Sequence, residues 1–279
     1  SQEVRVRFSL RPPKFMELNK LNSLVELFFN KSKEKKDNNP FLKWLKSNEN
    51  QNFYTWDQVD IKIKILSKHL STNLSHGDRV VLLSENRPEW LIADLAIMNA
   101  GSVTVPLFTT YSEKDYEFII NDCKPKVFIV SNETHYKKIK KFIAKETLVY
   151  SFENLHRDKN NASLSNIVTI EEVFSVYSNT PSLLSEIELN FNKQIKRSDL
   201  ACIIYTSGTT GNPKGVMLSH GGILSNCEGA IELLEPLVKK KDPVFLTWLP
   251  LSHSYEHTVQ FIQIIVGAKV YYAESLEKL

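Results

Sequence analysis

Several features that narrow a protein's function are absent or rare in this sequence of 279 residues. It has three cysteines, Cys123, Cys202 and Cys227, and they form no C-x-x-C pair. That spacing argues against a disulfide framework and predicts free buried thiols in a reducing compartment. No run comes near the ~20 apolar residues that a membrane-spanning helix needs, and residues 1–7 lack the apolar core of a signal peptide. We therefore expect a cytoplasmic protein, with peripheral membrane association and a homodimer left open.

A strong excess of charge of one sign is absent as well. Thirty-five basic residues nearly balance 32 acidic ones, so the net charge is +3. The lysine-rich run at 31–36 has no interleaved aromatic residues on which bases could stack, and we interpret it as a solvated face. Nucleic acid is therefore not a predicted partner. Hydrophobic residues make up 42% of the chain, which suffices for a substantial core.

From residue 78 onward, short apolar strands alternate with amphipathic helical patterns. Strands are predicted at 80–83, 103–107, 127–130, 147–150, 200–204, 244–248 and 268–272, with a short strand and helix in 164–177. Helices are predicted to begin near Asn86 (a candidate N-cap), Ser112 (a capping box with Asp115), Glu133 and Ser219, and to cover 259–266. Pro236 is expected to end the helix that begins near Ser219. This alternation predicts an α/β fold with mostly parallel sheets covered by helices on both faces.

The segment 205–215, YTSGTTGNPKG, is the most informative part of the sequence. It follows an apolar strand and combines four hydroxyl residues, three glycines and Lys214. Glycine permits positive φ and close approach of the backbone to a ligand, consecutive N–H groups bind anions, and lysine adds a compact positive charge. The order differs from the G-x-x-x-x-G-K-[ST] loop. A flexible linker is the alternative, but the strand before it and the helix after it favour a phosphate-binding loop.

Three blocks and one further segment together resemble the adenylate-forming superfamily, which contains acyl-CoA synthetases, luciferases and peptide-synthetase adenylation domains. YTSGTTGNPKGVMLSH is similar to its AMP-binding signature, and WLPLSHSYEH at 248–257 is similar to the LPLSH block of long-chain fatty-acid–CoA ligases. GDRV at 77–80 with SENRPEW at 84–90, and AGSVTVPL at 100–107, resemble the amino-terminal half of the same branch. The resemblance runs from about residue 24 to residue 279, and it implies the large α/β domain of the acyl-adenylate-forming fold.

The resemblance also implies a reaction and a site. ATP would activate a long-chain fatty acid to an acyl adenylate, and coenzyme A would then take the acyl group. Lys214 and His253 would be catalytic, with His253 orienting the carboxylate or the adenylate, and Thr206 would offer an oxygen ligand to Mg²⁺. His257 stands where some long-chain members carry an aromatic gate. The residues expected to bind ATP or to line the same region are Thr206, Ser207, Gly208, Thr209, Thr210, Gly211, Lys214, Ser254 and His257.

The pattern H-x-x-E-H at 253–257 also matches a zinc signature of one metallopeptidase class. Pro250 lies just before it, in a strand-to-loop context, and only Glu274 and Glu277 remain after it as further acidic ligands. A zinc site is therefore disfavoured.

The later blocks of the superfamily are missing from the sequence, including the Tyr-Gly-x-Thr-Glu block and the small carboxy-terminal domain. We expect a partial AMP-binding domain over 1–279, made of an amino-terminal segment (1–52), a first α/β subdomain (53–197) and the phosphate loop with the start of a second subdomain (198–279). The isolated chain is expected to be inactive. The alternatives are a non-catalytic nucleotide-binding remnant, one half of a split enzyme, or a ligase for another carboxylic acid.

Overall fold

Two β-sheets and the helices that cover them form the described part of the chain. The computed structural model describes residues 17–35, 39–44, 53–155, 166–178, 195–207, 212–238 and 242–273. The strands are β1 (Pro40–Trp44), β2 (Phe53–Thr55), β3 (Arg79–Leu83), β4 (Val103–Leu107), β5 (Val127–Val130), β6 (Leu148–Ser151), β7 (Ile167–Thr169), β8 (Leu200–Thr206), β9 (Lys214–Ser219), β10 (Val244–Thr247) and β11 (Lys269–Tyr272). The α-helices are α1 (Leu24–Glu34), α2 (Trp56–Ser71), α3 (Pro88–Asn99), α4 (Glu113–Cys123), α5 (Glu133–Ile139), α6 (Ile170–Ser178), α7 (His220–Val238) and α8 (Ser254–Ile265).

The larger sheet has seven strands in the order β7-β6-β5-β3-β4-β8-β9. Neighbouring strands are parallel from β7 to β8, and β9 pairs antiparallel with β8. The predicted alternation of strands and helices from residue 78 onward is thereby confirmed. β9 was not predicted: its first four residues are exposed, so the sequence has no buried, alternating face there.

Helices bury both faces of the central strands. Val80 and Leu82 of β3 belong to the core cluster that includes residues of α2 and α3, whereas Val81 and Leu83 belong to a second cluster with residues of α4. This division follows from the two-residue period of a strand. Because both faces are covered, β4 and β5 are buried at every position, as the mostly apolar sequence of β4 and the continuous apolar sequence of β5 predict.

The smaller sheet joins the two ends of the described chain. Its order is β10-β11-β1-β2, with β1 parallel to β11 and antiparallel to β2. The Lys43 ammonium donates to the Tyr271 hydroxyl at 3.0 Å across this sheet. Each sheet therefore combines strands from more than one of the predicted segments 1–52, 53–197 and 198–279, whose division into domains stays a prediction.

Local predictions failed in three places. Arg87, not Asn86, is the N-cap of α3, because the Asn86 side chain donates to the Leu249 carbonyl and accepts from the Leu251 amide. α7 continues two residues past Pro236, whose φ is compatible with a helix. α8 begins at Ser254, five residues before its predicted start, because His253 caps it. The predicted loop at 156–165 and most of the connector at 185–197 lie outside the described residues.

Within the described ranges, no helix has the length and the apolar character needed to cross a bilayer.

Candidate active site

The ends of the predicted phosphate loop lie in a β-hairpin. Thr206 ends β8 and Lys214 begins β9, and the two residues are paired directly across the ladder. Side chains at paired positions lie on the same face, so the Thr206 and Lys214 side chains leave the hairpin on the same side. Both residues are exposed, as is Ser207. The predicted site residues Gly208, Thr209, Thr210 and Gly211 lie outside the described residues.

Tyr205 and Gly215 fix the base of this hairpin. The Tyr205 hydroxyl donates to the Asp122 carboxylate on α4. A Cβ atom at Gly215 would lie 2.9 Å from Ile203 Cγ2 and 3.1 Å from Tyr205 Cζ. Glycine is therefore required here because side chains of β8 cover its Cα, and not because the backbone needs a positive φ.

His253 lies at the start of α8. Its backbone is extended, and its Nδ1 accepts a hydrogen bond from the Tyr255 amide at 3.2 Å. A ring nitrogen that accepts a hydrogen bond carries no proton, so this cap assigns the proton of the neutral imidazole to Nε2. The side chain is exposed, and its ring lies 6.3 Å from the Phe108 ring in an edge-to-face arrangement. His253 thus presents an N–H donor at the positive end of a helix dipole, where an anion is favoured.

An apolar groove of about 630 Å³ connects the hairpin with α8. Thr206 and Ser254 both line it, which places two predicted site residues around one cavity. Its remaining walls come mainly from the apolar side chains of β8, β9, α7 and α8: Ile204, Val216, Leu218, Ala230, Leu233, Leu234, Val259 and Ile262. A groove with this lining suits an apolar ligand group.

His257 lies in the core and not at an open surface. It is 1% exposed, and its Nε2 is 2.7 Å from Asp94 Oδ2 on α3. Its Nδ1 is 3.7 Å from Cys202 Sγ, and its ring contacts Trp90 and Phe261. Although burial alone lowers the pKa of His257, the Asp94 carboxylate raises it well above the ordinary value. The contact between His257 and Asp94 fastens α8 to α3.

A network of charged side chains lies near the carboxyl ends of the central strands. Sequence analysis quoted part of it in the SENRPEW block but did not predict the network. The Arg87 guanidinium forms ion pairs with Glu85, Glu89 and Glu153. Burial raises the pKa of Glu85, but hydrogen bonds from His135 and Ser131, with the charge of Arg87, bring it down to about 2. The sequence signal for this group was the density of charged residues at 85–89 directly after a buried strand.

Comparison with solved structures identifies the fold. The chain aligns with a red-emitting luciferase from Phrixothrix hirtus at a TM-score of 0.77, over 95% of this chain and 48% of that chain, with 17% identity. It aligns with apo MatB from Rhodopseudomonas palustris at a TM-score of 0.70, over 92% of this chain and 46% of that chain, with 21% identity. At these identities the likeness shows the fold, which is the amino-terminal α/β fold of adenylate-forming enzymes, as the sequence predicted.

Sequence comparison identifies the family. Residues 29–279 match the family model described as AMP-binding enzyme, so the chain belongs to the AMP-binding enzyme family. It is 30% identical to fatty acyl-CoA synthetase A of Dictyostelium discoideum over 204 residues, which are 71% of this chain and 29% of that protein. It is 29% identical to long-chain-fatty-acid–CoA ligase 5 of Mus musculus over 255 residues, 84% of this chain and 35% of that protein. The chain thus spans about a third of the length of these relatives.

Proposed function

We propose that this chain supplies the phosphate-binding hairpin and the acyl groove of an ATP-dependent ligase that joins a long-chain fatty acid to coenzyme A. In this reaction the fatty carboxylate attacks the α-phosphorus of ATP, pyrophosphate leaves, and a thiol then displaces AMP from the acyl adenylate. The observation that carries the proposal is the apolar groove that Thr206 of the hairpin and Ser254 of α8 both line.

The hairpin serves the first step by positioning and neutralising charge. Lys214 is paired with Thr206 across the ladder, and Ser207 follows Thr206 in the chain. In the proposed function the Lys214 ammonium and the two hydroxyls would hold the β- and γ-phosphates. Gly208 to Gly211 would add backbone N–H groups. Placing the phosphates before the reaction removes much of the entropic barrier to the transfer.

Thr206 also offers one hard oxygen ligand to Mg²⁺. Among the residues that the structure describes, no group of three or more His, Cys, Asp or Glu side chains is arranged to hold a metal ion. A single hydroxyl fits Mg²⁺ bound mainly by ATP phosphates and water, which is the usual mode for this ion. Bound there, the ion would neutralise charge on the phosphates.

His253 would orient the carboxylate or the adenylate, because its exposed ring lies at the start of α8 and leaves Nε2 available as a donor. His257 is too deeply buried to touch a ligand in this arrangement. Its ion pair with Asp94 instead holds α8 in place, and with it His253 and Ser254 at the start of that helix. The preference for a long acyl chain rests on the apolar walls of the groove and on the named activities of the relatives.

The proposal is tested by measuring the binding of ATP with Mg²⁺ by calorimetry, and of hexadecanoate by displacement of a fluorescent fatty acid. Ala230→Trp adds an indole to the groove wall and should weaken hexadecanoate binding at least about tenfold, since it fills the space of several buried methylenes. Ala144→Trp places the same side chain at an exposed position on a loop and is the matched control.

Binding of both ligands, with fatty-acid binding lost only in Ala230→Trp, supports the ligase. Binding of ATP without any binding of hexadecanoate would favour a nucleotide-binding role or another carboxylic acid. A chain that binds neither ligand contradicts the proposal.

A further inference from the structure

Tyr111 contacts both the hairpin of β8 and β9 and the aromatic side chain that packs on His253. It follows β4 in the turn that leads to α4, and its hydroxyl donates to the Tyr205 backbone carbonyl at 2.8 Å. Tyr205 directly precedes Thr206, the last residue of β8 before the predicted phosphate loop of the hairpin. The Tyr111 side chain, 94 residues from Tyr205 in sequence, thus holds the backbone of β8 next to the residue that leads into the phosphate loop.

The ring of Tyr111 is itself held by an aromatic cluster. Its centroid lies 5.2 Å from that of Phe108 and 6.0 Å from that of Tyr116, both edge to face. The Tyr116 hydroxyl donates to the Phe108 carbonyl at 2.8 Å, which fixes the turn. Phe108 in turn contacts the ring of His253. The cluster therefore places the hairpin and the capping histidine of α8 relative to one another.

The Tyr111 hydroxyl stays a donor throughout the neutral range. Burial and the nearby Asp115 carboxylate raise the pKa of Tyr111 to about 12, so the phenol keeps its proton. A phenol fixed by packed rings loses little freedom when it donates, and such preorganisation is what an active site requires of its supporting residues.

We propose that Tyr111 is a positioning residue of the active site, which sets the geometry of the phosphate-binding hairpin through the Tyr205 carbonyl. The proposal rests on the proposed function in one respect, namely that the hairpin binds the phosphates of ATP. It predicts that Tyr111 affects nucleotide binding but not the occupation of the acyl groove, which Tyr111 does not line.

The test is Tyr111→Phe, which removes the hydroxyl and keeps the ring. Affinity for ATP with Mg²⁺, measured by calorimetry, should fall about three- to tenfold, as expected for the loss of one neutral hydrogen bond. Affinity for hexadecanoate should stay within about twofold. Tyr136→Phe is the control, because Tyr136 packs against the same core cluster and its hydroxyl makes no hydrogen bond to the hairpin among the described residues. It should change neither affinity.

Amide hydrogen exchange followed by mass spectrometry tests the positioning role without any ligand. Peptides that cover Thr206–Ser207 and 212–219 should exchange faster in Tyr111→Phe than in the wild type or in Tyr136→Phe, and peptides of α2 and α3 should not change. Unchanged exchange in the hairpin would overturn the proposal, as would an equal loss of ATP and hexadecanoate affinity. If the wild type binds no ATP, the proposed function fails, and the exchange data still decide the role of Tyr111.

Discussion

Replacing Glu256 with glutamine should stabilise the protein, and the stabilisation should appear only as the pH rises above 4.5. Glu256 lies in the first turn of α8, is 4% exposed, and its Oε1 has no hydrogen-bond partner among the described residues. Burial raises the pKa of its carboxyl to about 7, against which a hydrogen bond with Thr247 acts in the opposite direction. The fold therefore holds a proton that the unfolded chain releases at a lower pH.

The magnitude follows from the two pKa values. Below the unfolded value of 4.5, both states are protonated, and the carboxyl group favours neither state through its charge. Between 4.5 and about 7 the unfolded chain ionises first, so the free energy of unfolding falls as pH rises, and above the folded value the loss is complete. At about 1.4 kcal/mol per pH unit, the full loss is roughly 3 kcal/mol. Glutamine has nearly the same shape and no ionisation, so the variant should escape this loss.

The assay is urea unfolding of wild type and Glu256→Gln at a series of pH values from 4.5 to 8.5, followed by circular dichroism. The difference in the free energy of unfolding should be near zero at pH 4.5, grow toward pH 7 and level off near 3 kcal/mol. Glu117→Gln, on the exposed side of α4, is the matched control and should change stability by less than about 0.5 kcal/mol at every pH. A difference that does not depend on pH, or a variant that is less stable at pH 8, would refute the reasoning.

Two further predictions concern packing around the site. Asp94→Asn removes the charge that pairs with buried His257, so it should lower the free energy of unfolding by about 3–5 kcal/mol in urea titrations. Because Asp94 raises the pKa of His257, that stabilisation is complete below the pKa of the unfolded histidine and is lost as pH rises through the folded pKa. An equal loss of stability in Asp94→Asn at pH 6 and at pH 11 would contradict the ion pair. Gly215→Ala should cost about 1–3 kcal/mol in the same assay, because its Cβ would overlap Ile203 and Tyr205. Gly229 lies in α7 with open space around its Cα, so Gly229→Ala should instead raise the free energy of unfolding by up to about 1 kcal/mol. Equal changes in the free energy of unfolding for the two alanine variants would show that the contact at Gly215 is relieved without cost.

Some residues of the candidate site could be recognised from their neighbours in the sequence, and others only from contacts between distant segments. The hydroxyls and the lysine of 205–215 could be recognised in the sequence, because the composition of a phosphate-binding loop is local. The groove could not, since its walls come from strands and helices far apart in the chain. His257 shows the same limit: its position after the LPLSH block suggested a ligand contact, but Asp94, 163 residues away, holds it in the core.

Local patterns in the sequence determined most of the elements. The mostly apolar run of β4 and the continuous apolar run of β5 predict strands buried on both faces, and the Ser112–Asp115 capping box marks the start of α4. These signals depend on residues within one or two turns of the chain, so no tertiary information is needed.

The tertiary structure alone decided which strands pair and which polar groups meet. β9 is a strand because β8 offers it hydrogen bonds across the loop, although its own side chains are mostly exposed. β1 and β11 pair although more than 200 residues separate them. The Asn86 side chain forms hydrogen bonds with backbone groups of the LPLSH block and therefore does not cap α3 as predicted. Backbone hydrogen bonds carry no sequence preference of their own, so partners of this kind are chosen only when packing of the cores brings the segments together.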